Sequence, residues 1–348
     1  MYQFMWPVKT LVGNGLIRQI GTHVPPLGNK TVMITGPPDP WVKPIHEQVN
    51  GWLQAAGWDE VILFNRIETE PTWTTVDRGV ALAKNKKVGA VVAIGGGSTL
   101  DASKVIAERS GIDFLCTVPT TSGTGSEINP WAVITDTKTR DKQSVRTKLP
   151  DVALLDPELT LNMPPIITLL TGIDAFIHCL ECFLSTTANP ISDALALQGM
   201  VLVGDNLQQT IEHGQDLVAR QNMQAAALLG GGAMLGAGLG LMHGIGNVVG
   251  GLTRQPHGLI LIHLLDAVME FNEPAEEKYG AIADRVEQLR TLVAEKTIEL
   301  NLPEIEIREA DLTLLAQRAA VNVNSKTNPR EYTRDDIVTI AHQSFKIT

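Results

Sequence analysis

The chain is poor in cysteine, aromatic residues and charge for its 348 residues. Three cysteines (Cys116, Cys179 and Cys182) are too few for a disulfide framework, so we expect a protein of the reducing cytoplasm. Charged residues make up 19% and hydrophobic residues 44%, whereas a disordered chain needs the opposite balance. The composition therefore predicts a large buried core, and the length predicts two domains.

Positive charge is also scarce. The chain has 28 Lys and Arg against 38 Asp and Glu, a net charge of −10. Nucleic acids and anionic membranes bind basic surfaces, so we expect neither as a partner. The start of the chain has no basic segment followed by an apolar one, so we expect no secretory signal. Residues 225–242 are apolar enough to suggest a membrane helix, but their many glycines and alanines favour a helix buried inside a helical domain.

Short apolar runs alternate with helical patterns in the first part of the chain. Strands are predicted at residues 30–35, 60–64, 88–94, 114–119 and 152–155, with helices at 41–56, 76–84 and from about Leu100. Strands that are apolar on both faces and alternate with helices are typical of a doubly wound parallel sheet. We therefore predict an α/β dinucleotide-binding domain over residues 1–160.

After about Leu161 the pattern is helical throughout. Helices are predicted at residues 168–184, 192–214, 217–240, 259–269, 275–299 and 311–322, with no convincing strand among them. We therefore predict an all-helical domain over residues 161–348, to which metal and substrate binding are assigned below.

Two glycine-rich segments follow predicted strands. They read IGGGS at residues 94–98 and PTTSGTGSE at residues 119–127. Glycines let the backbone approach a ligand closely, and the start of the helix that follows the first segment offers N–H groups to a phosphate. The first segment is not a G-x-G-x-x-G fingerprint, and a tight strand-to-helix turn would also explain it. Two such loops at the carboxyl ends of parallel strands favour a nucleotide site.

A second group of residues suits a metal ion. Asp174 and His178 stand four apart and share a helix face, and His243 and His257 lie in apolar, glycine-rich surroundings. One carboxylate and three imidazoles suit a divalent transition metal. Each histidine alone is more often a satisfied core or surface residue, so the prediction depends on the set.

Cys179 and Cys182 form a CxxC pair beside His178. A redox pair or a zinc site is one interpretation. The sequence has no second CxxC and no Gly-Pro between these cysteines, and a small apolar helix face explains both, so we favour a structural role.

Five blocks of the sequence resemble the iron-containing alcohol dehydrogenases, also called group III. They are IGGGSTLDASK (94–104), PTTSGTGSE (119–127), ALLDPELT (153–160), GIDAFIHCLE (172–181) and HGIGNVVGGLTRQPHG (243–258). The resemblance extends from about Thr10 to Phe345. It implies a metal-dependent NAD(P)-linked enzyme that interconverts a small primary alcohol and its aldehyde, working as a homodimer or larger homo-oligomer.

The resemblance also assigns residues. The metal ligands and catalytic centre, for Fe2+ or alternatively Zn2+, would be Asp174, His178, His243 and His257. The cofactor-binding positions would be Gly36 after the first strand, Gly95, Gly96, Gly97, Ser98 and Asp101 near the first loop, Thr120, Thr121, Thr124 and Asn129 near the second, and Lys142. Trp131 and Met234 are expected as walls of the substrate pocket, in the cleft between the domains.

Two positions depart from the family pattern. Asn247 stands where many relatives have a histidine that is thought to transfer a proton, so the proton would come from water or a cofactor ribose hydroxyl. Gly36 stands where NAD-preferring relatives often have Asp. We expect it to leave space and exposed N–H groups for a 2′-phosphate, with no carboxylate before Asp39. NADP(H) is therefore predicted over NAD(H), and Gly36→Asp should shift the preference toward NADH.

Three alternatives stay open. A glycerol dehydrogenase-like or maleylacetate reductase-like enzyme would keep fewer of the four ligands. The third alternative is a non-catalytic nucleotide- or metal-binding protein, and Asn247 is the one feature that favours it.

Overall fold

The computed structural model describes Tyr2, residues 4–273 and residues 278–348. The strands in chain order are β1 (Lys9–Val12), β2 (Thr31–Thr35), β3 (Glu60–Phe64), β4 (Ala90–Gly95), β5 (Phe114–Pro119), β6 (Trp131–Asp136), β7 (Asp141–Arg146), β8 (Val152–Leu155), β9 (Glu306–Ile307) and β10 (Lys346–Ile347). Six of them form one parallel sheet in the order β1-β8-β5-β4-β2-β3. The predicted parallel sheet is confirmed.

Helices cover both faces of this sheet. They are α1 (Ile20–His23), α2 (Lys43–Ala55), α3 (Trp73–Asn85) and α4 (Gly97–Ser110). Val91 and Leu115 pack toward α3 and α4, whereas the next residues, Val92 and Cys116, pack toward α1 and α2. Consecutive residues of a strand point to opposite faces, so burial on both sides requires the unbroken apolar runs seen in the sequence.

The sequence did not predict three short pairings. Strand β1 is at the edge of the sheet and only partly buried, and β6 pairs with β7 in an antiparallel hairpin whose second strand is mostly polar. Strands β9 and β10 pair in parallel over two residues each, so the expectation of no strand after Leu161 was wrong. Segments this short or this polar carry no readable hydrophobic period.

The described residues of the second half of the chain are otherwise helical, as predicted. Its helices are α5 (Pro165–Leu184), α6 (Pro190–Glu212), α7 (Leu217–Met234), α8 (Leu241–Thr253), α9 (His257–Asn272), α10 (Ala283–Glu299), α11 (Glu309–Val321) and α12 (Arg334–Ser344). Among the described residues, α5 is long and apolar enough to cross a membrane, with a mean hydropathy of 1.7. However, 83% of that stretch is buried inside the protein, as expected for a core helix.

Two predicted helix boundaries need correction. The glycine- and alanine-rich helix does not continue to Gly240: α7 ends at Met234, and Gly240 is the N-cap of α8. His243 therefore lies in the first turn of α8, a helix that the sequence did not predict. The predicted start at Ala275 lies outside the described residues, and α10 begins at Ala283.

The β6–β7 hairpin connects the two halves of the chain. Arg140, at its turn, donates a hydrogen bond to the carbonyl of Leu252 and pairs with Asp311. Arg318 donates to the carbonyls of Thr139 and Arg140. These contacts fix strand β7 against α8. The predicted boundary between residues 160 and 161 falls between β8 and α5 and stays a prediction.

Candidate metal centre and cofactor loops

The four predicted ligands converge from three helices. Asp174 and His178 come from successive turns of α5, His243 from the first turn of α8, and His257 is the first residue of α9. Oδ1 of Asp174 lies 3.6 Å from Nδ1 of His178, 3.6 Å from Nε2 of His243 and 3.7 Å from Nε2 of His257. Two ligands held at about 2.1 Å from one ion in tetrahedral geometry are roughly 3.4 Å apart. The spacing therefore suits one shared cation.

The cluster is largely buried, and three of its facing atoms lack partners. Asp174 Oδ1, His178 Nδ1 and His243 Nε2 are shielded from solvent without a hydrogen bond, whereas His257, with 22% of its side chain exposed, turns Nε2 toward Asp174. Buried polar atoms are nearly always paired, so three unpaired atoms at one point need an explanation. A divalent cation would satisfy the carboxylate oxygen and the imidazole nitrogens together, and this donor set fits a transition metal.

Glu181 orients one of these ligands. Its Oε2 lies 2.6 Å from Nδ1 of His243, and its Oε1 accepts the backbone N–H of Met242 at 2.7 Å. A proton on Nδ1 leaves Nε2 of the imidazole free as a ligand, and a carboxylate behind a ligating histidine is a recurrent device in metal sites. Glu181 is not among the residues predicted from the sequence. Its spacing of seven from Asp174 and three from His178 on one helix face was the available signal.

The electrostatics of the cluster follow from burial and close charges. Burial lowers the pKa of His178 to about 4 and also lowers that of His257. Burial also disfavours a charged His243, but Glu181 and Asp174 outweigh it and raise the His243 pKa to about 9. For Asp174, burial opposes ionisation, but the three imidazoles hold the pKa below its ordinary value. An incoming cation would therefore meet an ionised carboxylate and displace one proton from His243.

The first glycine loop is packed too tightly for side chains. A Cβ on Gly95 would lie 2.5 Å from Oγ1 of Thr99, and one on Gly97 would lie 2.4 Å from Cγ2 of Thr124. The carbonyl of Gly95 accepts the N–H of Thr120 at 3.0 Å, which joins this loop to the second. The two predicted loops thus lie side by side, with the first turn of α4 directly behind them.

The second loop runs from the first glycine loop to the predicted metal ligands. Thr121 lies against Gly96, and Oγ1 of Thr120 is buried without a partner. Farther along, a Cβ on Gly123 would lie 3.3 Å from Oδ2 of Asp174. The two glycine-rich loops and the predicted metal ligands therefore border one another.

Two predicted cofactor residues brace the loops instead. Asp101 accepts hydrogen bonds from the backbone N–H of Val133 and from Oγ of Ser126. Asn129 donates to the carbonyl of Gly125 at 2.9 Å. These side chains hold the second loop in place, a role that the sequence did not predict. Their direct contact with a cofactor stays a prediction.

Lys142 reaches the site from the β6–β7 hairpin. Its side chain is 3% exposed and forms an ion pair with Glu70. It also lies against α8, because a Cβ on Gly250 would be 2.7 Å from its Nζ. The backbone N–H of Glu70 donates to Oγ of Ser98 at 3.2 Å. Lys142 is thereby tied to the first glycine loop through Glu70, a residue that the sequence analysis missed.

Gly36 was expected to leave space and exposed N–H groups for a 2′-phosphate, and the structure shows neither. Gly36 is buried, and its N–H donates to the carbonyl of Phe64 at 3.1 Å, so this N–H is not exposed to a ligand. The expected space is also filled, because a Cβ on Gly36 would lie 2.3 Å from both Cε1 and Nε2 of His46.

A cavity of about 200 Å³ adjoins the loops on the side of α2. Trp41, Ile45 and Trp52 line one part of it and Arg18, Glu158 and Thr120 another. The lining is thus mixed, with aromatic, charged and hydroxyl groups. The expected pocket walls Trp131, half-exposed on β6, and Met234, packed on the helical core, do not line this cavity and stay predictions.

Comparison with known proteins assigns the family. A family model described as "Iron-containing alcohol dehydrogenase" matches residues 7–157, and one described as "Fe-containing alcohol dehydrogenase family, C-terminal" matches residues 168–345. The chain belongs to the iron-containing alcohol dehydrogenase family. The resemblance of the five sequence blocks is thus confirmed, and the chain is an oxidoreductase of the alcohol dehydrogenase type.

Members of this family align with the chain over nearly its whole length. The NAD-dependent methanol dehydrogenase of Bacillus methanolicus is 32% identical and covers 98% of this chain and 99% of its own. The 1,3-propanediol dehydrogenase of Klebsiella pneumoniae is also 32% identical and covers 99% of each. A crystal structure of a 1,3-propanediol oxidoreductase superposes with a TM-score of 0.89 at 29% identity, covering 99% of this chain and 100% of that one. The fold and the division into a nucleotide-binding part and a helical part are those of this family.

Proposed function

We propose that this chain is an iron-dependent NAD(P)(H) oxidoreductase that interconverts a small primary alcohol and its aldehyde, acting as an aldehyde reductase with NADPH. One observation carries the proposal: the unpaired ligand atoms around Oδ1 of Asp174 lie beside Gly123 of the second cofactor loop. Curated relatives named for methanol and 1,3-propanediol support a small alcohol as the substrate class.

The helices would hold the metal ion and the glycine loops the cofactor. Asp174, His178, His243 and His257 would hold the cation, with Glu181 keeping Nε2 of His243 free to bind. A divalent cation at this point would supply Lewis-acid stabilisation of the negative charge that develops on the aldehyde oxygen. The glycine loops would bind the cofactor pyrophosphate at the first turn of α4 and direct the nicotinamide toward Asp174.

The alcohol product also needs a proton. Asn247 is 6% exposed on α8, one turn after His243, and its amide cannot titrate at physiological pH. We therefore assign proton delivery to water or to a cofactor ribose hydroxyl, with Asn247 limited to hydrogen bonding.

The preference for NADPH rests on the missing carboxylate at residue 36. An acidic residue at the end of this strand would bind the ribose 2′-OH of NADH and repel a 2′-phosphate. Asp39 is the first acid after β2 and is exposed, and Lys43 lies at the start of α2, 3.9 Å from Glu47. We also propose a cytoplasmic location, supported by three free buried cysteines, and a homodimer or larger assembly.

The test is an assay of the protein purified without oxygen. We expect steady oxidation of NADPH with short aldehydes after loading with Fe2+, weaker turnover with NADH, and none after chelation. Stripped and reloaded protein, with Zn2+ in parallel, serves as the control. Absence of turnover with every aldehyde and both cofactors, despite a filled site, would favour the non-catalytic alternative.

A further inference from the structure

Glu70, between strand β3 and helix α3, has an unusual backbone conformation. Its φ is 58°, in the left-handed region that residues other than glycine rarely adopt. Such conformations are concentrated at functional sites. The two ends of this residue contact different elements: its N–H donates to Oγ of Ser98 at 3.2 Å, and its carboxylate forms an ion pair with Lys142. Glu70 therefore joins the first glycine loop to the β6–β7 hairpin.

The position of the Lys142 ammonium depends on this ion pair. The side chains of Lys142 and Glu70 are only 3% and 14% exposed, and within the described part of the chain Lys142 forms an ion pair with Glu70 alone. When one partner of a buried ion pair is removed, the other is left as an uncompensated charge, which is strongly unfavourable. Without the carboxylate, we therefore expect the ammonium to leave its present position.

The ion pair lies between the first glycine loop and the predicted metal ligands. On one side, Glu70 contacts Ser98 of that loop. On the other side, a Cβ on Gly250 of α8 would lie 2.7 Å from Nζ of Lys142. A Cβ on Gly246, one turn earlier in α8, would lie 3.5 Å from Cε1 of His257. A cofactor that extends from the first turn of α4 to the metal ligands would run past this pair.

We propose that Glu70 is a positioning residue for the cofactor: its carboxylate holds the Lys142 ammonium beside the segment between the pyrophosphate and the nicotinamide, and its N–H orients Ser98. This role rests on the proposed NAD(P)-linked function. Oγ of Ser98 accepts the Glu70 N–H, so the hydroxyl proton stays free to donate to a phosphate oxygen. An ammonium has three N–H donors, so Lys142 can donate to the carboxylate and to the hydroxyls of the nicotinamide ribose together.

The consequence is opposite to that of simple charge repulsion. A carboxylate next to an anionic cofactor repels it, so removal of Glu70 would tighten binding if the residue acted only through its charge. If Glu70 acts by holding Lys142, its removal weakens binding. The loss is then confined to ligands that extend beyond the pyrophosphate.

Cofactor binding to the metal-free protein tests this without turnover. Calorimetry gives dissociation constants for NADPH, NADH and ADP, which contains a pyrophosphate but lacks the second ribose and the nicotinamide. Glu70→Gln removes the charge and keeps the backbone N–H to Ser98. It should bind the wild type's tighter cofactor about tenfold or more weakly, as expected for loss of a hydrogen bond between charged groups, and should bind ADP normally. Glu70→Asp should recover part of the loss.

Two further variants test whether Lys142 carries the effect. Lys142→Gln should weaken cofactor binding at least as much as Glu70→Gln, and the double variant should lose no more than Lys142→Gln alone. Gly250→Ala keeps both charges but displaces Nζ of Lys142 with a methyl group, and should also weaken the intact cofactor while sparing ADP. It carries the test if Glu70→Gln does not fold. Glu60→Gln is the matched control, because it removes an exposed ion pair with Lys86.

Four results would overturn the proposal. Unchanged or tighter cofactor binding in Glu70→Gln would show that the carboxylate does not assist the cofactor. Equal losses for ADP and the intact cofactor would show a structural role only. Additive effects of Glu70→Gln and Lys142→Gln would show that Glu70 does not act through Lys142, as would unchanged binding in Gly250→Ala. Failure of the proposed function looks different, because the wild type would then bind neither NADPH nor NADH.

Discussion

Oε2 of Glu181 lies 2.6 Å from Nδ1 of His243, and the opposite nitrogen of that ring faces Oδ1 of Asp174 at 3.6 Å. Glu181 also accepts the N–H of Met242, so one carboxylate both holds the first turn of helix α8 and orients the ring of His243, a proposed metal ligand. The position of His243 in the site therefore depends on a side chain that would not touch the cation.

Replacing Glu181 by Gln tests this dependence. The amide oxygen can still accept the N–H of Met242, but the negative charge beside His243 is lost. Removing such a partner typically weakens metal binding about 10–100-fold, and we expect a loss in this range by competition with a chelator. Glu306→Gln, an exposed change on β9, is the control and should bind metal normally. Unchanged affinity in Glu181→Gln would show that helix packing alone orients His243.

Removal of one ligand should empty the site. His257→Ala leaves three protein ligands around Asp174 Oδ1, and we expect it to lose both stoichiometric metal and turnover. His263→Ala is the matched control, because His263 lies on the same helix α9 but contacts the carbonyl of Pro303 instead. Metal content by elemental analysis checks the outcome. One tightly bound ion per chain and normal activity in His257→Ala would mean that the ligand assignment is wrong.

Asn247 should matter only modestly. Because its side chain carries no proton to transfer, we expect Asn247→Ala to lower kcat by less than about tenfold, whereas loss of a catalytic acid or base typically costs about 10²–10⁴-fold. Steady-state kinetics with the metal-loaded variant decide the question. A loss in the larger range would show that Asn247 organises a water on which the reaction depends.

Metal affinity should depend on pH through His243. Glu181 and Asp174 raise its pKa to about 9, so the metal-free protein holds a proton there at neutral pH. Metal binding must release this proton. The affinity for the metal should therefore fall about tenfold per pH unit as the pH drops below the His243 pKa. The fall should be steeper near pH 4, because His178 has a pKa of about 4 and is protonated there too. Calorimetry in two buffers of different ionisation enthalpy measures the released proton. If metal binding released no proton at neutral pH, the assignment of His243 as a ligand would be contradicted.

Parts of this site are readable from the sequence and parts are not. Local spacing placed Asp174 and His178 on one helix face, and unbroken apolar runs indicated the buried parallel strands. Helix α8 was not predicted, and its first N–H groups are accepted by Glu181, more than sixty residues away. The contact between Gly36 and His46 was also missed, since it depends on how α2 packs on the end of β2. Both are tertiary effects that leave no local pattern.

Turnover should depend directly on metal bound at Asp174. Metal-free protein is titrated with Fe2+ without oxygen, and bound iron and NADPH-linked aldehyde reduction are measured on the same samples. We predict that activity rises in proportion to bound iron, saturates at one ion per chain, and is absent at every iron concentration in Asp174→Ala. Full activity in the metal-free protein, or undiminished activity in Asp174→Ala, would contradict the account.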